Sequence, residues 1–200
     1  MTDNSSLAEL FGEVPLMAIL RGMGVERSLA VATTAWDLGI TLVELPIQTP
    51  TDVEALRVVA EAGRSRGLHV GAGTVVLPEH VRQAKDAGAE FTVSPGIDVD
   101  IVRASHEAGM PALPGVATGS EVQLAVREGL TWLKAFPASL LGTGWFGAMR
   151  GPFPQVNFVA TGGMDASTAP TFLAAGARVV AVGSALEDPA QLPALAALLG

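Results

Sequence analysis

The sequence predicts an α/β fold, a closed (β/α)8 TIM barrel with an extra N-terminal helix. Three observations predict it. Short apolar, β-rich runs alternate with longer amphipathic stretches from end to end. The βα unit recurs at about 22 residues, and eight parallel strands with covering helices suggest closure into a barrel. Many helical stretches stop at a glycine after a small apolar residue, as in Asp37-Leu-Gly39 and Ala174-Ala-Gly176, which suits a left-handed C-cap.

A short helix is expected at about 4–12, ahead of the first strand at Leu16 to Leu20 and a helix at 26–38. Ile40 to Leu45 and Leu68 to Ala72 read as strands two and three, each a brief apolar run bounded by turn residues, with helices at 52–66 and 78–87. Glu90 to Ser94, Pro111 to Pro114 and Thr131 to Phe136 read as strands four to six, separated by amphipathic patterns at 98–108 and 119–128. Val156 to Thr161 and Arg178 to Gly183 complete the eight, with helices at 143–150, 167–175 and 189–199. The loops are tight, and one domain over 1–200 is expected.

Composition narrows the function. With 49% hydrophobic and 16% charged residues the chain can bury a sizeable core. No apolar run approaches the roughly 18 residues of a membrane span, and the N-terminus lacks the basic start of a signal peptide, so a cytoplasmic protein is expected. The absence of cysteine removes disulfides, thiolate nucleophiles and cysteine-based zinc sites. A net charge of −8 without a basic cluster argues against nucleic acid as a partner. His69, His80 and His106 show no metal-binding spacing, so no metal or other cofactor is expected.

Chemistry in such barrels sits at the carboxyl ends of the strands. Of twelve basic residues only Lys85 and Lys134 are lysines. Strand alternation puts Lys134 on the face of Trp132 and Phe136. If that face is the interior, desolvation disfavours the ammonium and frees a lone pair to attack a ketone. A lysine that snorkels out of a strand end is the alternative. Glu44 shares a face with Ile40 and Leu42 and could shuttle protons there, or pair with Arg21. Arg21, in step with Met17 and Ile19, could grip a carboxylate or merely neutralise Glu44. Gly71-Ala-Gly73-Thr74 lets backbone approach a ligand and ends in a hydroxyl. Thr161-Gly162-Gly163 and Gly183-Ser184-Ala185 fit a phosphate cradle, to which a following helix start would add positive potential, or are ordinary tight turns.

Read in order, Val43-Glu-Leu-Pro46, Gly71-Ala-Gly-Thr74, Val93-Ser-Pro95, Pro114-Gly115, Leu133-Lys-Ala-Phe-Pro137, Gly151-Pro-Phe-Pro154, Thr161-Gly-Gly163 and Gly183-Ser-Ala185 resemble the class I 2-keto-3-deoxy-6-phosphogluconate aldolase family, with its galactonate-cleaving relatives. The likeness runs from about Pro15 to Leu186. It implies that Lys134 is the Schiff-base lysine and Glu44 the general acid/base. It further implies that Thr74, Pro95 and Phe136 surround pyruvate and that Gly162, Gly163 and Ser184 receive phosphate. The implied enzyme is a cytoplasmic homotrimer that needs no metal and binds a phosphorylated keto acid. It yields pyruvate and D-glyceraldehyde 3-phosphate, and some members also cleave 4-hydroxy-2-oxoglutarate.

Gln48 departs from the pattern, since gluconate-type members often carry arginine there; the segment looks more like the galactonate-cleaving branch. Thr161 and Gly151-Pro-Phe-Pro154 look gluconate-like, and the gluconate substrate is favoured. A phosphosugar isomerase or epimerase, or a non-catalytic phosphometabolite-binding barrel, are the rival readings of the same cradle.

Overall fold

The computed structural model describes residues 5–12 and 14–200. The chain opens with α1 (Ser5–Phe11), β1 (Leu16–Ile19) and α2 (Gly24–Leu38), then β2 (Leu42–Pro46), α3 (Pro50–Arg66), β3 (His69–Gly73) and α4 (Pro78–Asp86). The middle contains β4 (Thr92–Val93), α5 (Val99–Glu107), β5 (Ala112–Leu113), β6 (Gly115–Val116), α6 (Gly119–Arg127) and β7 (Trp132–Ala135). It ends with α7 (Ala138–Leu141), α8 (Thr143–Arg150), β8 (Asn157–Thr161), α9 (Ala169–Ala175), β9 (Val179–Val182), a 3-10 turn (Ser184–Glu187) and α10 (Leu192–Ala196). Position 4 of the expected first helix lies outside the described residues.

All strands run parallel in the order β5-β4-β3-β2-β1-β9-β8-β7-β6. Among the described residues nine strands stand where eight were expected, because the fifth is split. Pro114 has no N–H to give a ladder, so Ala112–Leu113 pairs with β4 and Gly115–Val116 pairs with β7. The Pro114 carbonyl still accepts from the Lys134 N–H at 2.9 Å, which carries the pairing across the break and closes the barrel. The expected (β/α)8 TIM-barrel fold is therefore present, with its fifth strand in two pieces.

Alternation sorts the apolar side chains into two cores. In β1, Leu16 and Ala18 face the helix layer while Met17 and Ile19 face inward. The inner core also takes Leu42, Phe91, Val93, Leu113, Trp132, Val159, Val179 and Ala181. Its amino-terminal end is plugged by α1, whose Leu7 and Phe11 are buried. Phe11 stacks on Trp132 with centroids 4.6 Å apart and planes 13° apart. Such a pair contributes about 0.5–1.5 kcal/mol beyond its burial. Ile40 corrects the expected register: it lies before the strand begins and belongs to the outer core, so only Leu42 shares Glu44's inward face.

The helix signals hold at their ends. Thr49 and Asp52 cap α3 reciprocally, as do Thr118 and Glu121 for α6. Gly39 and Gly176 end α2 and α9 at φ of 101° and 107°, where a side chain would strain the backbone. The last helix is shorter than the expected 189–199. Among the described residues no helix is long and apolar enough to cross a membrane.

Candidate active site

The carboxyl ends of the strands open onto a cavity of about 620 Å³. Of the residues singled out from the sequence, Arg21, Thr74, Pro95, Lys134, Phe136, Thr161, Gly162, Gly163 and Ser184 line it. Glu44 and Gln48 do not, and each stands in a different relation to it.

Lys134 is the third residue of β7. Leu133 and Ala135 turn out to the helices and Trp132 turns in, so strand parity aims the Lys134 side chain into the barrel. The side chain is only 2% exposed, which excludes the snorkelling alternative. Register against Gly115 and Val159 fixes its height, and Nζ stands 5.0 Å from the centroid of the Phe136 ring. A cation over that face is stabilised by the ring quadrupole.

Glu44 is the third residue of β2, paired in register with Ile19 and Gly71. It is fully buried, and neither carboxylate oxygen has a hydrogen-bond partner among the described residues. Leaving such a group buried and unpaired costs several kcal/mol by order of magnitude, so the fold holds it against its own stability. The carboxylate fills the space beside Gly73 that a β-carbon there would need. It is thus set back from the wall that the next residue, Thr74, forms.

The alternative ion pair between Arg21 and Glu44 is not made. Arg21 instead donates from Nη1 to Gln48 Oε1 at 3.0 Å and from Nη2 to Thr74 Oγ1 at 3.5 Å. Gln48 therefore acts on the cavity through Arg21, while its own surroundings are a second groove between α3 and α4. Thr74 has φ of 58°, a left-handed conformation rare for a β-branched residue, and such strain concentrates at functional sites.

Gly162 and Gly163 follow β8 with φ of 99° and 75°. A β-carbon at Gly162 would press on the Phe136 ring at 3.2 Å, and one at Gly163 would meet Ser139 Oγ at 2.6 Å. Only glycine lets this loop lie so close to the segment after Lys134, where the Ser139 N–H donates to the Gly162 carbonyl at 3.1 Å. Directly behind these glycines there is no helix start, because the helix expected at 167–175 begins at Ala169. In its place Asp165 builds a turn, accepting from Ser167 Oγ at 2.7 Å and from the Ser167 and Thr168 N–H groups at 2.9 Å each. The Ser167 hydroxyl foremost, with Thr168, holds the Asp165 carboxyl below the usual carboxylate range. Behind Ser184 there is only the 3-10 turn.

Met23, Met164, Asp165 and Glu187 also line the cavity and were not foreseen. Asp165 carries a readable signal, an acid followed two and three residues later by hydroxyl side chains. Met23 and Glu187 lie in turns without periodicity. The three histidines are far apart in role: His69 pairs with Glu90 at 2.8 Å, His80 accepts from the Val76 N–H at 3.3 Å, and His106 is half-buried near the end of α5. No three potential metal ligands cluster among the described residues.

An electrophile admitted to this cavity would meet a buried primary amine, with an unpaired carboxylate behind one wall and glycines in the loop after β8. The family model for KDPG and KHG aldolase matches residues 7–195. A 2-dehydro-3-deoxy-phosphogluconate aldolase of Treponema pallidum is 34% identical over 89% of this chain and 82% of its own length. A 2-dehydro-3-deoxy-6-phosphogalactonate aldolase of Escherichia coli is 31% identical over 87% of this chain and 85% of its own. The crystal structure of KDPG aldolase from Legionella pneumophila, with pyruvate captured at low pH as a covalent carbinolamine, superposes with a TM-score of 0.81 at 28% identity. It covers 95% of this chain and 94% of its own.

Proposed function

The chain belongs to the KDPG and KHG aldolase family, and is accordingly a lyase; from that premise we propose that Lys134 is its Schiff-base lysine and Glu44 its proton shuttle, acting on 2-keto-3-deoxy-6-phosphogluconate. The observation that carries this is the Lys134 amine, the sole lysine in the cavity wall and almost wholly withdrawn from water.

In the proposed sequence Nζ adds to the C2 ketone, and loss of water from the carbinolamine leaves an iminium. Glu44 takes the proton of the C4 hydroxyl. The C3–C4 bond breaks, its electron pair moves into the C2–N system as an enamine, and C4 leaves as the aldehyde of D-glyceraldehyde 3-phosphate. Reprotonation at C3 and hydrolysis release pyruvate and restore the amine. Because Glu44 sits behind Gly73-Thr74, its proton travels through one bridging water or after a side-chain rotation, a common property of unliganded sites.

The substrate's two charged groups would find separate donors around the cavity. Arg21, held by Gln48 and Thr74, faces the carboxylate, and Gly162, Gly163 and Ser184 offer N–H and hydroxyl donors to the phosphate. Thr161 before the paired glycines favours the gluconate epimer. The Arg21–Gln48 bond supports a second reading, the galactonate epimer, because that glutamine stands where gluconate-type members often have arginine. By the same resemblance the enzyme works as a cytoplasmic homotrimer, which light scattering would test. Incubation with pyruvate and borohydride should add a stable mass to Lys134; an adduct confined to Lys85, or none, would overturn the mechanism.

A further inference from the structure

We propose that the Arg27–Glu187 ion pair sets the charge at the phosphate end of the cavity and so its preference for phosphorylated over unphosphorylated aldehydes. This rests on the aldolase reading above and adds to it a specificity device outside the glycine cradle.

The charges around the cavity are unevenly placed. Its two cations are Lys134, deep in the barrel, and Arg21, tied to Gln48 and Thr74 at the β1–β3 side. Its two carboxylates, Asp165 and Glu187, both lie in the loops after β8 and β9, beside the glycines and Ser184. Two acids are a poor setting for a phosphate dianion. Asp165 is occupied by its own turn. Among the described residues Glu187 has one ion-pair partner, the guanidinium of Arg27 from the first turn of α2.

Arg27 is well exposed, at 63% of its side chain, and Glu187 is largely covered, at 25%. The carboxylate is therefore fixed in the cavity wall, while the arginine can turn between it and a newly arrived anion. With Arg27 in place the Glu187 charge is offset, and the hydrogen-bonded Asp165 carboxylate is the negative charge that remains. With Arg27 removed, an uncompensated carboxylate faces the phosphate. With Glu187 neutralised, the arginine is released to the phosphate itself.

Removal of either partner therefore acts with opposite sign, which loss of a merely structural bridge would not do. The test uses the full chain in the condensation direction, with pyruvate and either D-glyceraldehyde 3-phosphate or D-glyceraldehyde. Arg27→Ala should raise the KM for the phosphorylated aldehyde relative to the unphosphorylated one by about tenfold, and Glu187→Gln should lower that ratio by about threefold. Arg27→Lys should retain most of the parent ratio, and the double variant should lie near the parent. A ratio that moves the same way in both single variants, or in neither, overturns the proposal. Pyruvate–borohydride trapping on the same samples separates the failures. If the parent does not trap, the aldolase reading falls; if it traps while the ratio is unmoved, only the ion-pair proposal falls.

Discussion

The Glu44 carboxylate occupies the space that a side chain at residue 73 would need, so the two positions form one steric unit across β2 and β3. Gly73 is not among the glycines with positive φ, and its backbone would accept alanine. The conflict is purely one of volume. Gly73→Ala should displace Glu44, cost about 1–3 kcal/mol in denaturant unfolding as overpacking does, and lower kcat by at least about tenfold. Gly71→Ala is the control, because its methyl would meet Phe91 of the inner core instead. That variant should lose comparable stability and keep more activity; equal losses of kcat would argue against the pairing of Gly73 with Glu44.

Lys134 and Glu44 are both buried and neither is in an ion pair among the described residues, so their removal should not unfold the protein. Relieving a buried, unpaired polar group that is kept for function is often neutral or stabilising, by about 0.5–2 kcal/mol. Lys134→Met should abolish trapping and cleavage while its thermal midpoint stays level or rises. Glu44→Gln should still trap pyruvate slowly, yet exchange of the pyruvate methyl protons with solvent should fall by about 10²-fold or more. A Lys134→Met protein that keeps cleaving would remove the imine from the mechanism.

Much of this was legible from the order of residues, and the rest was not for definable reasons. Parity along β1, β2 and β7 turned Met17, Ile19, Glu44, Trp132 and Lys134 inward because strand alternation is local. Ile40 misled because parity carries information only inside a strand, and the strand begins at Leu42. The split at Pro114 was hidden because two-residue strands have no period to read, although proline's missing N–H was the clue. Arg21's choice of Gln48 and Thr74 over Glu44, and the meeting of Arg27 with Glu187, depend on barrel closure between residues distant in the chain.

Asp165 gives a pH dependence of known sign. Its folded carboxyl is held below the ordinary value by the Ser167 hydroxyl and the Thr168 groups. A depressed folded value means the stabilisation is present above the unfolded pKa, near pH 4 or roughly so, and is lost as pH falls through the folded value. Asp165→Asn should therefore be less stable than the parent at neutral pH, and the gap should close on acidification below about pH 4. Urea midpoints of the two proteins across that range measure it. A gap that stays constant with pH would mean the turn depends on shape and not on charge.

Arg21 and Gln48 together make the sharpest statement about substrate. If Arg21 holds the C1 carboxylate, it touches a group common to both C4 epimers, and its loss should affect them alike. A hydrogen bond to a charged group contributes about 1.5–3 kcal/mol, so Arg21→Ala should lower kcat/KM by about 10- to 100-fold with either substrate. Gln48→Ala leaves the guanidinium in place but removes its 3.0 Å anchor, and should raise KM by only about three- to tenfold with kcat little changed. In both variants the ratio of phosphogluconate-derived to phosphogalactonate-derived cleavage should stay within about twofold of the parent. Side-by-side assays with the two epimers measure this directly. A ratio that swings by more than about tenfold in Gln48→Ala would instead mean that the Arg21–Gln48 pair reads the C4 hydroxyl, and would move the carboxylate contact to Thr74 and the strained backbone that follows β3.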